Sequence, residues 1–445
     1  MKSRFLLTTS WLSLLALLPA ALGPAAHAQA FKPPKYSVID LGALSGGSFS
    51  LAIGANENGV VVGASVLADG TENAVLWYGR SITDIGTPGL GGPNSEAYGI
   101  NEIGRASGLA ETSTSDPNGE DFCGFGTHLI CRPFVWQNGE MTPLPTLGGN
   151  NGEAGLINNR GEVAGNAENT TLDSTCPLGG PQALQEKPVV WQNGQIKQLD
   201  TFPGDPDGWA FGINDHGQVV GASGICSSLN QDTGVYILSR HPLLWDKGTA
   251  IDLGNLGGTG TFGPGNYALE INNQGQVVGT SDLAGDATFH GFLWTEKTGI
   301  RDLGTVSGDV NSAGLGINDS GEVVGVSGDA SFNNIRAFLR YNGRMIDLNT
   351  LAPGSPLYLL FAHGINSRGE IAGFGVNSSG DIHAFLAVPC SRTRAEAERG
   401  EDTEGTAEAT ETTERPRPVI SESARKLLQQ RLRFGRLGAQ LTGSH

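Results

Sequence analysis

Short apolar runs, rich in Val, Ile, Leu and Phe, recur along most of the chain and are closed by Gly, Asn, Asp or Pro. Alternation over a few residues between turn-forming clusters predicts β-strands rather than helices. One frame organises the pattern: Asn-x-x-Gly-x-x-x-Gly, with Ile-Asn entering and Val-Val-Gly leaving in its clearest copy, Ile271 to Gly279. It recurs seven times, at Asn56, Asn101, Asn158, Asn214, Asn272, Asn318 and Asn366. The first Gly of each copy is Gly59, Gly104, Gly161, Gly217, Gly275, Gly321 or Gly369. Asn bonds its own backbone two residues on, and Gly accepts positive φ, so the frame reads as a hairpin turn.

The starts lie 45 to 58 residues apart, a period that belongs to solenoids, propellers or arrays. Two more apolar elements fill each period. One ends in Trp in five copies, as in Pro188-Val189-Val190-Trp191 and Gly291-Phe292-Leu293-Trp294. The other resembles Ile251-Asp252-Leu253-Gly254. Each unit is thus a four-stranded meander, a to d, the plan of a β-propeller blade. The first d strand, Tyr36–Gly42, precedes the first frame, and the seventh unit stops at its c strand. The expectation is an all-β, seven-bladed propeller closed by the N-terminal strand, with 36–42 completing the blade at 362–387. An open β-solenoid is the alternative.

Long b-to-c connections interrupt three successive units, at 109–131, 166–186 and 224–239. They hold four of the five Cys. Cys123 and Cys131 lie close together in one insertion and are expected to pair. Cys176 and Cys226 lie in equivalent insertions of consecutive units and are expected to pair across them, and Cys390 is left over. Lys2 and Arg4, an apolar run and Ala26-His27-Ala28 read as a signal peptide over 1–28. The body is then 29–390, secreted, periplasmic or at the cell surface, with no transmembrane segment. The tail, 391–445, begins with a Glu/Thr/Ala-rich stretch that reads as disordered. A basic amphipathic pattern over 421–437 follows, with Ser421 as its cap; it reads first as a marginal helix that frays in water, and alternatively as a helix for a membrane surface or a partner.

The net charge is −17, and residues 29–390 hold 16 basic against 36 acidic side chains, which excludes nucleic acid as a partner. No Ser-His-Asp, Cys-His or metal-binding Cys/His spacing stands out. Asp205, Asp207, Glu270 and Asp309 are the acids from which a catalytic carboxylate pair could be drawn, but sequence supplies no reason to choose among them. Asp116–Asp121 and Asp205–Gly208 are candidate Ca²⁺ loops, each read first as a Pro/Gly turn. No catalytic or cofactor-binding residue is assigned.

The units resemble the HAF family of extracellular repeat proteins across residues 36–387. The family's His-Ala-Phe motif stands at His383-Ala384-Phe385, with His290-Gly291-Phe292 and Arg336-Ala337-Phe338 as variants. Asp252-Leu253-Gly254-Asn255-Leu256-Gly257-Gly258 adds to it. Asn73, Arg132, Lys187 and His241 mark departures at or beside the His position. The resemblance implies export and a repeat fold, and no catalytic residues. The function expected is a non-catalytic binding or scaffold module for a protein or carbohydrate ligand. The alternative is a hydrolase or lyase acting on polysaccharide.

Overall fold

The computed structural model describes residues 33–176, 182–226, 237–260, 265–330, 334–390, 419–422 and 425. All but Pro33 belong to the compact unit Pro34–His445. The signal-peptide reading and most of the tail reading fall outside the described residues.

The chain begins with β1 (Tyr36–Gly42) and then forms a series of four-stranded antiparallel meanders. Sheet 1 is β2 (Phe49–Ala55), β3 (Val60–Val66), β4 (Glu72–Tyr78) and β5 (Ser81–Asp84). Sheet 2 is β6 (Gly91–Ile100), β7 (Ala106–Ser115), β8 (Leu129–Gln137) and β9 (Glu140–Pro143). Sheet 3 is β10 (Gly152–Ile157), β11 (Val163–Leu172), β12 (Leu184–Gln192) and β13 (Gln195–Gln198). Sheet 4 is β14 (Asp207–Ile213), β15 (Val219–Cys226), β16 (Ile237–Asp246) and β17 (Thr249–Asp252). Sheet 5 is β18 (Tyr267–Ile271), β19 (Val277–Asp282), β20 (Phe289–Thr295) and β21 (Gly299–Asp302). Sheet 6 is β22 (Asn311–Ile317), β23 (Val323–Gly328), β24 (Ile335–Tyr341) and β25 (Arg344–Asp347), which runs into a single helical turn, α1 (Leu348–Leu351). Sheet 7 is β26 (Tyr358–Ile365), β27 (Ile371–Val376) and β28 (Ile382–Pro389), with β1 as its fourth strand.

The pairing of β1 with β28 is antiparallel, from Tyr36↔Pro389 to Gly42↔Ala384, as the strand count predicts. A single parallel bridge, Phe49↔Ile382, joins sheet 7 to sheet 1. Each first strand touches the first strand of the next sheet, and β26 touches β2, so the first strands form the inner row. The arrangement is all-β and propeller-like.

The second Gly of the frame has its own physical reason, which turn chemistry does not supply. In each sheet the register of the first two strands slips by one residue, as between Ala210 and Gly212. This bulge drives a carbonyl of the first strand into the second. A Cβ at Gly221 would lie 1.9 Å from the Trp209 carbonyl oxygen, and Gly63 and Gly325 meet the same obstacle at 1.9 and 2.0 Å.

Apolar side chains from facing sheets fill the spaces between neighbours. Val189 and Trp191 of sheet 3 pack with Val135 and Leu144 of sheet 2, and Leu243 and Trp245 of sheet 4 pack with Ala164 of sheet 3. Buried indoles need an acceptor, and Trp191 Nε1 and Trp245 Nε1 find the carbonyls of Pro145 and Asp200 at 2.8 and 2.7 Å.

One expectation is corrected. The connections at 109–131, 166–186 and 224–239 are not simply loops. Much of each is continued hairpin, with Ser115 paired to Leu129, Leu172 to Leu184 and Cys226 to Ile237. Alternating Thr, Ser and Glu after the apolar run of β7 and β11 keeps the strand period going beyond the core. In sheet 6 the strand β25 ends at Asp347, whose carboxylate accepts from Asn349 N and caps α1.

Candidate functional site

The two ends of the strands differ. At the a-to-b end, each frame Asn holds its own turn and reaches the next. Asn214 Oδ1 accepts from the backbone N of His216 and Gln218, and its Nδ2 donates to the Asn272 carbonyl at 3.0 Å. The same donation runs from Asn56 to Asn101, and then through Asn158, Asn214, Asn272, Asn318 and Asn366 back to Asn56, at 2.8–3.2 Å. Gly59, Gly104, Gly161, Gly217, Gly275, Gly321 and Gly369 all take φ between 72° and 78°. These residues are the turn-formers the sequence predicts, and they also link neighbouring units. A cavity of about 170 Å³ opens among these turns, its wall made by Ala55 and the six equivalent Ile residues, its rim by Asn, Glu57, Glu102, Asp215 and Asp319. Rim carboxylates are occupied: Glu102 Oε1 accepts from Glu57 N, and Asp215 Oδ1 from Asn159 N.

The opposite end carries the extended hairpins of sheets 2, 3 and 4. Both predicted disulfides are present there, Cys123–Cys131 and Cys176–Cys226, and Cys390 is free and exposed. Beneath the hairpins lies a set of buried acids. Glu120 of sheet 2 accepts from the backbone N of Ala183 and Leu184 in sheet 3. Glu168 accepts from the backbone N of Asn150 and Asn151 at 3.0 and 2.9 Å. Burial, and then the Glu120 charge, push Glu168 up to about 9. Burial pushes Glu186 up to about 7, against the stabilising donation from Trp209 Nε1 at 2.8 Å.

The inner strands supply what sequence reading missed. Register equates Leu51, Glu96, Glu153, Trp209, Tyr267, Ala313 and Phe361 on successive first strands. Two residues on stand Ile53, Tyr98, Gly155, Phe211, Leu269, Leu315 and His363. Acids and aromatic rings occupy these positions in sheets 2 to 5. Tyr98 donates to Glu96 at 2.5 Å, and the Tyr267 ring lies 6.5 Å from Trp209 and 5.6 Å, edge-on, from Phe211. Sheets 6, 7 and 1 place apolar groups there instead, and these join one cluster with Phe49, Phe289 and Phe374. His363 is the exception. Its ring stacks near Phe361 and Phe374, and burial pushes it down to about 4. The visible signal was the pair of variable residues two and four positions before each Ile-Asn.

The acids singled out in the sequence do not converge. Glu270 stands where most copies have Gly, lies in the inner wall and accepts from Ile317 N at 3.1 Å; burial pushes it up to about 8. Asp309 pairs with Arg336, Asp205 with His241 and Ser223, and Asp207 lies under the sheet 3 hairpin. Asp116 Oδ1 closes its own turn, and its Oδ2 accepts from Asn151 Nδ2, a buried contact 35 residues away in sequence. Among the described residues no three His, Cys, Asp or Glu side chains are grouped to hold a metal ion.

The His of the His-Ala-Phe motif has a partner in the Asp-Leu-Gly strand. His383 Nδ1 meets Asp40 at 3.0 Å and His290 Nδ1 meets Asp302 at 2.9 Å. The hydrogen bond holds each His above its ordinary value, and although burial opposes it, each Asp falls below its own. Asn73 makes the same cross-strand contact with Asp84 at 2.9 Å.

No family model matches the chain, and no curated protein matches it. Several solved structures do resemble it. A puromycin-hydrolyzing peptidase of Mycobacterium tuberculosis is 10% identical with a TM-score of 0.46; the match covers 81% of this chain and 55% of that one, so this chain spans about half the peptidase. A mutant Aleuria aurantia lectin in complex with α-methyl-L-fucoside is 11% identical with a TM-score of 0.34, over 80% and 97%. A polysaccharide lyase, an ulvan lyase, is 10% identical with a TM-score of 0.37, over 79% and 98%. Activity and ligand do not follow from likeness at this level.

Proposed function

We propose that the protein is an exported, non-catalytic binding or scaffold module of the HAF repeat kind, built as a seven-bladed propeller closed by β1. Its ligand, a protein or a carbohydrate, meets the end bearing the extended hairpins of sheets 2, 3 and 4. The observation that carries this reading is the coincidence of three irregularities in adjacent sheets. The hairpins are lengthened, they hold both disulfides, and the inner positions beside them are acidic and aromatic. The frame residues are accounted for by turns and packing; these features are not. Preformed, bridged hairpins lower the ordering cost of binding. Two disulfides fit an oxidising compartment. Among the described residues no helix is long and apolar enough to cross a membrane.

Shortening the three connections to the length of the 282–290 connection tests the reading. The trimmed protein is expected to keep its circular dichroism and cooperative melting, and to lose binding to whichever member of a glycan and protein panel the full chain captures. Equal binding by both forms would place the site elsewhere, over the central channel. A second reading, a polysaccharide hydrolase or lyase, is favoured by Glu186, whose carboxyl titrates near neutrality beside Trp209. Product formation from a bound polysaccharide, abolished in Glu186→Gln, would replace the first reading with this one.

A further inference from the structure

The end of the sheet 3 hairpin leans on the first residue of β14. Asp207 is fully buried there, and its Oδ1 accepts from Glu186 N at 2.9 Å and Gln182 Nε2 at 3.1 Å. Asp173 follows β11, is 6% exposed, and uses Oδ1 on Thr175 N and Oγ1 at 2.6 and 2.7 Å. The two carboxyls lie within hydrogen-bond reach of each other, yet Asp173 Oδ2 and Asp207 Oδ2 have no donor. Gln182 Oε1 has none either, although the residue is only 4% exposed.

The amide orientation of Gln182 is fixed by its other end. Its Nε2 donates to the Leu184 carbonyl at 2.9 Å as well as to Asp207, and a flipped amide would set oxygen against both acceptors. The charge of Lys187 acts on both aspartates, but its Nζ donates to the Pro206 carbonyl and it forms no ion pair with either of them among the described residues.

Buried polar oxygens are normally satisfied. One proton shared by Asp173 and Asp207 would serve two of these three oxygens and leave Gln182 Oε1 bare. A hard cation serves all three at once. Ca²⁺ takes about six to eight oxygen ligands, drawn from carboxylates, amide carbonyls and water. Softer transition metals prefer the His and Cys that this site lacks. We propose that Asp173 Oδ2, Gln182 Oε1 and Asp207 Oδ2 form a Ca²⁺ site that ties the sheet 3 hairpin to sheet 4 beside the Cys176–Cys226 bridge. The ligands come from three places in the chain, the end of β11, the approach to β12 and the start of β14. The ion therefore joins two sheets rather than closing one loop, and its site is distinct from the Asp116–Asp121 turn, whose first carboxylate is already occupied. The ion's role is structural and does not depend on which ligand the hairpins bind.

Terbium is a suitable probe, because Trp209 lies two residues beyond Asp207 on the same strand and can sensitise its emission. In the full-length protein, Tb³⁺ emission excited through Trp is expected to saturate and to be displaced by Ca²⁺. Ca²⁺ should also raise Tm by several degrees relative to protein in EGTA. Asp207→Asn and Gln182→Leu, each checked for wild-type circular dichroism in EGTA, should each weaken Tb³⁺ binding at least tenfold and abolish the Ca²⁺-dependent rise in Tm. Gln182→Leu keeps the carboxyl pair, so it separates a cation from a shared proton. Wild-type protein whose Tm ignores Ca²⁺ and which shows no sensitised emission overturns the proposal. So does either folded variant that retains wild-type Tb³⁺ affinity.

Discussion

Sheets 6, 7 and 1 and sheets 2, 3 and 4 are built on one frame and have opposite interiors. In the first group the b-to-c turns are short, as at Asn377–Asp381, where Asn377 N donates to the Asp381 carbonyl at 3.0 Å. The inner positions are Leu, Ile, Ala and Phe with His363, and His383 forms a half-buried cross-strand pair with Asp40. In the second group the hairpins run on, carboxyls are buried beneath them, and neighbouring sheets are joined by polar contacts such as Glu120 to Leu184. The first group relies mainly on apolar burial, with Glu72 and the Asp309–Arg336 pair as its buried charges. The second keeps groups whose desolvation opposes folding, and such groups persist where something other than packing needs them.

The largest effect should come from breaking the regular group. Deleting residues 29–43 removes β1 and its six register pairs with β28. At roughly 1 kcal/mol for each lost interaction, the cost is about 6 kcal/mol, near the whole stability of many domains. Loss of a cooperative melt is the expected result. A deletion variant that melts like the full chain would show that sheet 7 does not need this strand.

Alkaline pH should act mainly on the other group. Glu168, held up to about 9, and Glu186, held to about 7, stay protonated in the fold when the unfolded chain has released their protons. Raised folded values mean that their contribution is complete below about pH 4 and is lost progressively up to about pH 9. For the raised His290 and His383, stability is lost above about pH 6.5; for the lowered Asp40 and Asp302, it is lost below about pH 4. Maximum stability is therefore expected between about pH 4 and 6.5, with Tm lower by on the order of 10 °C at pH 9. Hydrogen exchange at pH 9 should open sheets 3 and 4 before sheet 7. A Tm that climbs from pH 5 to pH 9 would contradict the burial assigned to these acids.

The smallest effect tests what the two groups share. Asn214→Ala in sheet 4 and Asn366→Ala in sheet 7 each remove a buried side chain that serves its own turn and the next. Each should cost about 2–3 kcal/mol in chemical denaturation. A difference between them greater than about 1 kcal/mol would mean that the frame is not equivalent around the molecule.

How much was legible in the chain follows the same division. The frame turns, the four strands of each unit, the pairing of Tyr36–Gly42 with the last unit and both disulfides were legible. They depend on turn chemistry, on counting strands and on Cys placed in adjacent units. The buried acids were not. Glu168 and Glu186 fall inside the 166–186 connection, where sequence reading places no strand, and only the continuation of the hairpin takes them out of water. The sequence shows His383 only as a motif residue, because its carboxylate partner Asp40 lies 343 residues away. Asp207 read as one member of a Pro/Gly turn, and its meeting with Asp173 and Gln182 depends on how two sheets abut.

The circuit of asparagine side chains has a direction. Every unit gives a proton donor to the unit after it and receives one from the unit before it, and each bond uses only groups that all seven copies possess. Neighbours are therefore interchangeable at this end, whatever they carry at the other. Such a join lets one part of the molecule diverge, lengthening hairpins and acquiring buried charge, without asking the adjoining repeats to change with it. Constancy at one end is what makes variety at the other affordable to descent with modification.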